Sequence, residues 1–253
     1  MLLTAREQPT EWPVTMIAYK VAIITGASRG VGAGLAAAYR RRGWAVTASA
    51  RTIRPSGDKD LLIVPGDVTE PAGAARVVDA ALDRFGRIDT LVNNASVVIS
   101  RPLTDYTAAD FATVMGVSIT GFFWLTQRAI AEMAVRYGGH VVTVSATVAP
   151  AAASGTPSVL AALASGGITA ATRSLAVEYA ARGIRVNAIS AGLIQTPIAP
   201  ADGFSGPGDW LPPLGRAGQI SDIVDGVLFL ESAPYITGEI LHIDGGQSAA
   251  GER

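Results

Sequence analysis

The sequence predicts one doubly wound α/β domain, in which helices cover both faces of a parallel sheet of about seven strands. Short runs rich in Val and Ile alternate with helical stretches along the chain of 253 residues. Most of these runs are apolar on both faces, which is typical of strands buried between two helical layers. Such alternation indicates right-handed crossover units, and no composition break or repeat indicates a second domain.

Six strands and four helices follow from these patterns in chain order. The strands are predicted at 20–26, 45–50, 61–67, 88–95, 140–146 and 184–190. The helices are predicted at 30–42, 71–85, 108–137 and 158–182. Residues 1–18 carry charges and lack an unbroken apolar run, so we expect a flexible extension rather than a signal peptide, followed by a single domain over 19–253. The Gly/Pro-rich segment 199–215 has the length and composition of a lid loop.

The composition excludes several classes of protein. A net charge of -1 provides no basic surface for nucleic acid or an anionic membrane. There is no Cys, and the two histidines, His140 and His242, lack metal-ligand spacing, so we expect no metal site. The uncharged run 141–172 contains Pro150, Pro157 and several Gly, which makes it a poor membrane span. We therefore expect a cytoplasmic protein.

A glycine-rich turn follows the first predicted strand. In "VAIITGASRGVG", the residues Gly26, Gly30 and Gly32 lie between that strand and a helix. Glycines at this point let the backbone approach a pyrophosphate, and the helix N-terminus supplies N–H donors. The motif predicts dinucleotide binding, although glycine also serves ordinary tight turns.

The end of the second strand indicates which dinucleotide binds. An NAD site usually offers a carboxylate there, but this chain has Ala50 and Arg51, and no Asp or Glu occurs between Gly26 and Asp58. A guanidinium group matches a 2′-phosphate. Arg29 and Arg51 therefore favour NADP(H) over NAD(H).

From about residue 20 to residue 246 the chain resembles the short-chain dehydrogenase/reductase family, which has a Rossmann-like fold. The matching segments are "TGASRGVG", "GDV" (66–68), "NNAS" (93–96), "RSLAVEYAARGIRVNAISAGLIQTP" (173–197) and "YITGEILHIDGG" (235–246). The cofactor-binding residues that this resemblance and the turn imply are Gly26, Ser28, Arg29, Gly30, Val31, Gly32, Arg51, Asp67, Val68, Asn94, Ala95, Ser96, Gly192, Ile194 and Thr196. The resemblance of helices 108–137 and 158–182 to the family's subunit contacts implies a homodimer or homotetramer.

The same resemblance implies an altered catalytic site. Members of the family use a tyrosine as proton donor, a lysine four residues later, a serine and an asparagine. Counting from the flanking motifs, these four positions read Ala161, Ser165, Ala146 and Ser118, with Ser145 beside Ala146.

A count that needs no alignment supports the loss of the proton donor. The only lysines are Lys20 and Lys59, and the residues four positions before them are Met16 and Pro55. The sequence Tyr-x-x-x-Lys therefore occurs nowhere in the chain.

Three functions remain open at this point. The first is an NADP(H)-dependent oxidoreductase with an altered proton route, acting on an imine, an iminium or an activated carbonyl of a small molecule. Its weak catalytic candidates are Ser118, Ser145 and Ser165, since an unaided hydroxyl is a poor acid, and Tyr106 is the nearest ring hydroxyl. The alternatives are a catalytically silent NADP-binding partner protein and a non-redox lyase, isomerase or cyclase.

Overall fold

The computed structural model describes residues 19–136, 138–147, 158–196 and 211–250. Its seven strands form one sheet of parallel strands in the order β3-β2-β1-β4-β5-β6-β7. They are β1 Val21–Thr25, β2 Ala45–Ala50, β3 Leu61–Pro65, β4 Thr90–Asn93, β5 Gly139–Ala146, β6 Ile184–Ala191 and β7 Ile240–Ile243. This arrangement confirms the predicted Rossmann-like sheet.

Six α-helices lie on the two faces of this sheet in the described ranges. They are α1 Gly30–Arg41, α2 Pro71–Phe85, α3 Ala108–Met115, α4 Gly121–Val135, α5 Val159–Tyr179 and α6 Ile220–Ser232. The segment predicted as one helix at 108–137 is divided by a π-helical turn, Gly116–Thr120, between α3 and α4. Helix α6 is additional to the four helices that the sequence patterns predicted.

The core consists of two apolar layers, one on each side of the sheet. On one side, Leu35 of α1 and Ile223 of α6 pack with residues of the central strands. On the other side, Val77 of α2 and Leu125 of α4 do the same. Because all strands are parallel, their carboxyl ends lie at one edge, and the chain reverses its winding direction between the neighbouring strands β1 and β4.

Two predicted segments fall partly or wholly outside the described residues. The N-terminal extension 1–18 lies outside them, as does the part of the predicted lid loop from 199 to 210. The end of that loop is described, and the Leu214 N–H donates to the Gly245 carbonyl at 3.1 Å.

Two helical stretches, Ala108–Val135 and Val159–Arg182, are long and apolar enough by length and composition alone to cross a membrane. Leu125 and Ala176 from these stretches are buried in the core beside the sheet. Phe123 and Leu163 on the same stretches are exposed. These stretches therefore cover one face of the sheet and present apolar side chains on their outer side.

A buried ionisable cluster lies at the opposite, amino-terminal edge of the sheet. Glu231, at the end of α6, accepts hydrogen bonds on one carboxylate oxygen from His140 Nδ1 at 3.0 Å, the Tyr39 hydroxyl at 3.0 Å and the Thr90 hydroxyl at 2.9 Å. The Asn187 amide lies 3.1 Å from the other ring nitrogen of His140. These side chains tie two helices to three strands.

Burial and hydrogen bonding shift the pKa of each ionisable group in this cluster. Burial lowers the pKa of His140, although the bond to Glu231 opposes it, so the imidazole is neutral. Burial acts to raise the pKa of Glu231, but its hydrogen bonds from His140, Thr90 and Tyr39 outweigh that effect and lower it. Burial and the nearby carboxylate raise the pKa of Tyr39 well above its ordinary value.

Candidate cofactor and substrate site

The glycine turn between β1 and α1 is built so that only glycine fits at key positions. Gly26 and Gly30 have positive φ angles of 65° and 59°, which favour glycine. A Cβ on Gly32 would lie 2.3 Å from the Gly26 carbonyl oxygen and 2.6 Å from Asn94 Nδ2. The turn therefore brings the start of α1 against the end of β1, as a pyrophosphate-binding turn requires.

Residues after β4 hold this turn in place. Asn94 Nδ2 donates to the Thr25 carbonyl at 2.9 Å, and the N–H groups of Asn94 and Ala95 donate to the Thr25 hydroxyl at 3.1 Å. Asn94 therefore acts by bracing β1 against β4. Ala95 and Ser96, which follow it, line a cavity described below.

The start of α1 is open to an anion. Ser28 and Arg29 are exposed, and Arg29, the N-cap residue, makes no capping hydrogen bond with its side chain. Val31 packs against the core and fixes the direction of the helix. The first N–H groups of α1 have no acceptor within the helix, so this terminus suits a phosphate.

Two further predicted cofactor residues lie exposed after β2 and β3. Arg51 and Asp67 are both exposed, and the positive charge of Arg51 contributes to the lowered pKa of Asp67. The main cause of that lowering is the hydrogen bond from the Thr69 N–H, at 3.0 Å. Val68, which follows Asp67 in the chain, is buried and lines the cavity.

The segment after β6 reaches the glycine turn from the other side. A Cβ on Gly192 would lie 2.5 Å from the Asp244 Cα, so only glycine fits there. Ile194 forms an isolated parallel bridge with Gly218. The methyl group of Thr196 lies 4.0 Å from a Cβ built on Gly30, which places Thr196 beside the open side of the turn.

A cavity of about 50 Å³ lies beside the carboxyl ends of β4 and β5. Four positions predicted from the catalytic pattern, Ser118, Ala146, Ala161 and Ser165, all line it. Its apolar wall includes Val68, Val117, Phe122, Leu125, Val144 and Ile168. These four positions lie up to 47 residues apart in the sequence, and the structure brings them together at one cavity. Ser118 reaches the cavity because it lies on the π-helical turn.

The catalytic candidates Ser145 and Ser165 are in direct contact inside this cavity. Ser145 Oγ lies 2.9 Å from Ser165 Oγ in a hydrogen bond, and Ser165 is buried. Among the described residues that line the cavity, none has an ionisable side chain. The polar groups there are hydroxyls and one amide, so the described cavity wall contains no strong acid or base.

The floor of the cavity contains two polar residues that the sequence reasoning missed. Asn93 ends β4, Thr143 lies opposite it on β5, and both line the cavity while being buried. The signal in the sequence is weak: both are polar residues in otherwise apolar strands, on the same face as Ser145.

The other groups near this edge have structural partners. The Tyr106 hydroxyl donates to the Ile99 carbonyl at 2.7 Å, so its proton is used within its own loop. Thr147, after β5, lies 2.9 Å from the Ser190 hydroxyl and 3.5 Å from an Asp244 oxygen. Burial acts to raise the pKa of Asp244, but its bonds from Ser248 and Gly246 outweigh that and lower it, so this carboxylate is ionised.

Comparison with known proteins gives the same family throughout. The family profile described as enoyl-(acyl carrier protein) reductase matches residues 26–248. A 3-oxoacyl-(acyl-carrier-protein) reductase of Vibrio cholerae is 34% identical over 239 residues, covering 90% of this chain and 96% of that protein. The cis-4-hydroxycyclohexanecarboxylate dehydrogenase of Sinomonas cyclohexanicum is 34% identical over 247 residues, covering 92% and 98%.

Comparison with solved structures gives the same family. A 3-ketoacyl-(acyl-carrier-protein) reductase from Brucella melitensis complexed with NADH superposes with a TM-score of 0.81 at 28% identity, covering 90% of this chain and 98% of that one. ElxO with NADP bound gives a TM-score of 0.82 at 27% identity, covering 91% and 99%. The chain belongs to the short-chain dehydrogenase/reductase family.

As a short-chain dehydrogenase/reductase, the chain is of the NAD(P)-dependent oxidoreductase type, like these relatives. The residues present fit a nicotinamide dinucleotide, because the turn at Gly26, Gly30 and Gly32 excludes any Cβ that would block a close approach. When bound, such a cofactor supplies or accepts a hydride. The chain's own residues must bind the substrate beside it and provide any proton.

Proposed function

We propose that this protein is an NADPH-dependent reductase whose proton does not come from a tyrosine–lysine pair. One observation carries the proposal: Ser118, Ala146, Ala161 and Ser165 line one cavity, and no described residue of its lining is ionisable. The 253-residue sequence contains no Tyr-x-x-x-Lys. Ser145 and Ser165, hydrogen-bonded to each other, are the hydroxyls that we assign to the reacting end of the cavity.

The uncharged lining favours particular substrates. A serine hydroxyl without an adjacent base or cation is a weak acid, so it protonates a developing alkoxide poorly. An iminium ion needs no proton from the protein, since hydride transfer neutralises it. During hydride transfer, the oxygen of an activated carbonyl becomes less basic than the oxygen of a plain ketone does. We therefore assign iminium ions, protonated imines and activated carbonyls of small molecules as the substrate class.

The charge at the adenine end supports NADPH over NADH. Arg29 and Arg51 are exposed at the glycine turn and after β2, and no acidic residue occurs between Gly26 and Asp58. A guanidinium group binds a phosphate with two parallel hydrogen bonds. We assign the 2′-phosphate of NADPH to these two arginines.

Single-turnover oxidation of NADPH tests the reaction. The wild-type protein is mixed with NADPH and a panel of cyclic imines and of ketones of matched size, and the expected result is faster oxidation with the imines. The variant Ala161→Tyr/Ser165→Lys should gain ketone reduction, whereas Ala161→Phe/Ser165→Lys, which lacks the phenol, should not. Absence of NADPH oxidation with every class would refute the reductase and leave the binding-protein or non-redox alternatives.

The exposed apolar residues on the long helices support a homodimer or homotetramer. Phe111, Phe123, Leu163 and Val177 are exposed on α3, α4 and α5. Apolar side chains grouped on one side of a protein usually mark an interface. We propose that a second copy of the chain covers this side, and a molar mass measured in solution by light scattering tests it, since a monomer would refute it.

A further inference from the structure

Small side chains on α5 open the cavity beside the carboxyl ends of β4 and β5. Ala161, Ala164, Ser165 and Ile168 line it, and their spacing of i, i+3, i+4 and i+7 puts them on one face of the helix. In the family pattern, positions 161 and 165 hold a tyrosine and a lysine. Long side chains at these two positions would project into the same space, so the cavity exists because the residues there are short.

Much of the cavity wall presents carbon atoms. Val68, Phe122 and Leu125 belong to this wall, and all three are buried. Asn93 and Thr143 also line the cavity, but Asn93 Oδ1 and Thr143 Oγ1 are covered by neighbouring atoms and have no hydrogen-bond partner among the described residues. These two atoms therefore offer nothing to a ligand, and a group that enters this part of the cavity contacts apolar surface.

Serine hydroxyls give the cavity a second, polar character. Ser145 and Ser165 are hydrogen-bonded to each other, with 2.9 Å between their oxygens, and Ser118 lines the same cavity. Ser96 and Val98 are exposed residues of the lining, so the cavity opens to the protein surface beside them. A ligand that enters there meets both hydroxyls and apolar wall.

The size of the cavity suits a short hydrocarbon group. It measures about 50 Å³. An apolar protein cavity of roughly 150 Å³ stays dry and binds benzene, which has six carbons, so a third of that volume holds about two to three carbons. An empty apolar cavity destabilises a fold because its lining lacks contacts, and a group that fills it restores them.

We propose that this cavity is a substrate subsite for an aliphatic group of about two to three carbons. The proposal rests on the reductase function proposed above and deepens it. It specifies the substrate as an imine, an iminium ion or an activated carbonyl that carries such a group on its reacting carbon. The subsite requires the short side chains of Ala161 and Ser165, so a family member with tyrosine and lysine there lacks the space.

Xenon tests the subsite without any turnover, because this apolar atom enters dry apolar cavities. Crystals of the wild-type protein, with and without NADP⁺, are pressurised with xenon, and both should show xenon density beside Leu125 and Ile168. Ala164→Leu fills the cavity and should abolish this density. Ala37→Leu, the same change at an exposed position of α1 outside the lining, is the control and should retain it.

The xenon result separates the subsite from the reductase function. Ordered water that xenon does not displace would overturn the subsite, and so would xenon density that disappears when NADP⁺ is bound, since the cofactor would then fill the space. Failure of the protein to bind NADP⁺ or to oxidise NADPH would instead refute the reductase function, whatever the xenon density shows.

A substrate series gives the second readout. Iminium ions that differ only in an unbranched alkyl group on the reacting carbon, from methyl to hexyl, are compared by kcat/KM for NADPH oxidation. Burying one methylene group strengthens binding about fourfold, so kcat/KM should rise about fourfold per carbon up to ethyl or propyl and fall for longer chains. A flat series, or a rise that continues to hexyl, would overturn the proposal even if the reductase function stands.

Two variants should move the optimum of this series in opposite directions. Ala164→Leu should shift it to methyl, and Ile168→Val, which removes one carbon from the lining, should lengthen it by about one carbon. Ala37→Leu should leave it unchanged. NADPH affinity and melting temperature identify the variants that fold, and if Ala164→Leu does not fold, Ile168→Val decides the question alone. An unchanged optimum in a folded cavity variant would overturn the proposal.

Discussion

The polar groups at the two edges of the sheet differ in whether they are paired by hydrogen bonds. At the amino-terminal edge, the ionisable residues His140 and Tyr39 are buried, and both are hydrogen-bonded to the Glu231 carboxylate. At the carboxyl-terminal edge, the cavity is lined without ionisable side chains in the described residues, yet it contains unpaired polar atoms on Asn93 and Thr143.

The difference indicates that the polar groups at the amino-terminal edge stabilise the fold, whereas those at the carboxyl-terminal edge serve the function. Charged groups in the interior are stable only when every partner is present, which is the condition at Glu231. Unpaired buried polar groups destabilise a fold unless a ligand or a water completes them. An acid in the cavity would be the ordinary expectation for a reductase, but no described residue of the cavity lining has an ionisable side chain.

The largest expected effect comes from the paired edge. Glu231→Leu leaves the Tyr39 and Thr90 hydroxyls and the His140 ring without their acceptor, so the free energy of unfolding should fall by about 3–5 kcal/mol. Urea denaturation measures it. Asp79→Asn, which removes the partner of Arg128 in an exposed ion pair, is the control and should leave stability unchanged. A loss no larger than that of the control would mean that the cluster does not stabilise the fold.

The pH dependence of stability should come from the same edge. The pKa values of His140 and Glu231 are lowered in the folded protein, so stability falls as pH drops below the unfolded values of about 6.5 and about 4.3. The pKa of Tyr39 is raised, so stability falls as pH rises above about 10.

The urea midpoint should therefore be constant from about pH 7 to about pH 9 and should fall on each side of that range. Tyr39→Phe should flatten the alkaline side and leave the acidic side. An alkaline loss that persists in this variant would assign the effect to another group.

A smaller effect is expected at the exposed arginines of the carboxyl-terminal edge. Arg51→Ala should weaken NADPH binding by about tenfold, or 1.4 kcal/mol, and change NADH binding by less than about twofold. Calorimetry with both dinucleotides measures this, and Arg128→Ala, on a helix away from the turn, is the control. Equal losses for the two dinucleotides would show that Arg51 does not contact the 2′-phosphate.

The sequence predicted the parts of the molecule that depend on local pattern. The strands and the glycine turn at Gly26 follow from apolar runs and a local motif, whereas the positions Ala161 and Ser165 follow from the resemblance to the short-chain dehydrogenase/reductase family. The structure confirms the sheet and brings Ser118 to the same cavity. The strands and the glycine turn are encoded by neighbouring residues, so reading along the chain suffices to predict them.

The parts that escaped prediction depend on contacts between distant residues. His140 and Glu231 are 91 positions apart, and nothing in either segment indicates the other. The unpaired state of Asn93 and Thr143 is likewise a property of packing, since it depends on which groups fail to reach them. The division of the helix at Gly116–Thr120 depends on a single extra residue per turn, which composition does not reveal.

The pH dependence of NADPH oxidation tests the central claim most directly, namely that reduction proceeds without an ionisable acid in the cavity. The rate constant for single turnover of an activated carbonyl that does not itself titrate is measured from pH 7 to pH 9, where the fold is expected to be stable. A rate that varies less than about twofold is the predicted result, since hydroxyls and water do not titrate in this range. A rate that falls about tenfold per pH unit above a single pKa would reveal an enzymic acid and contradict the account.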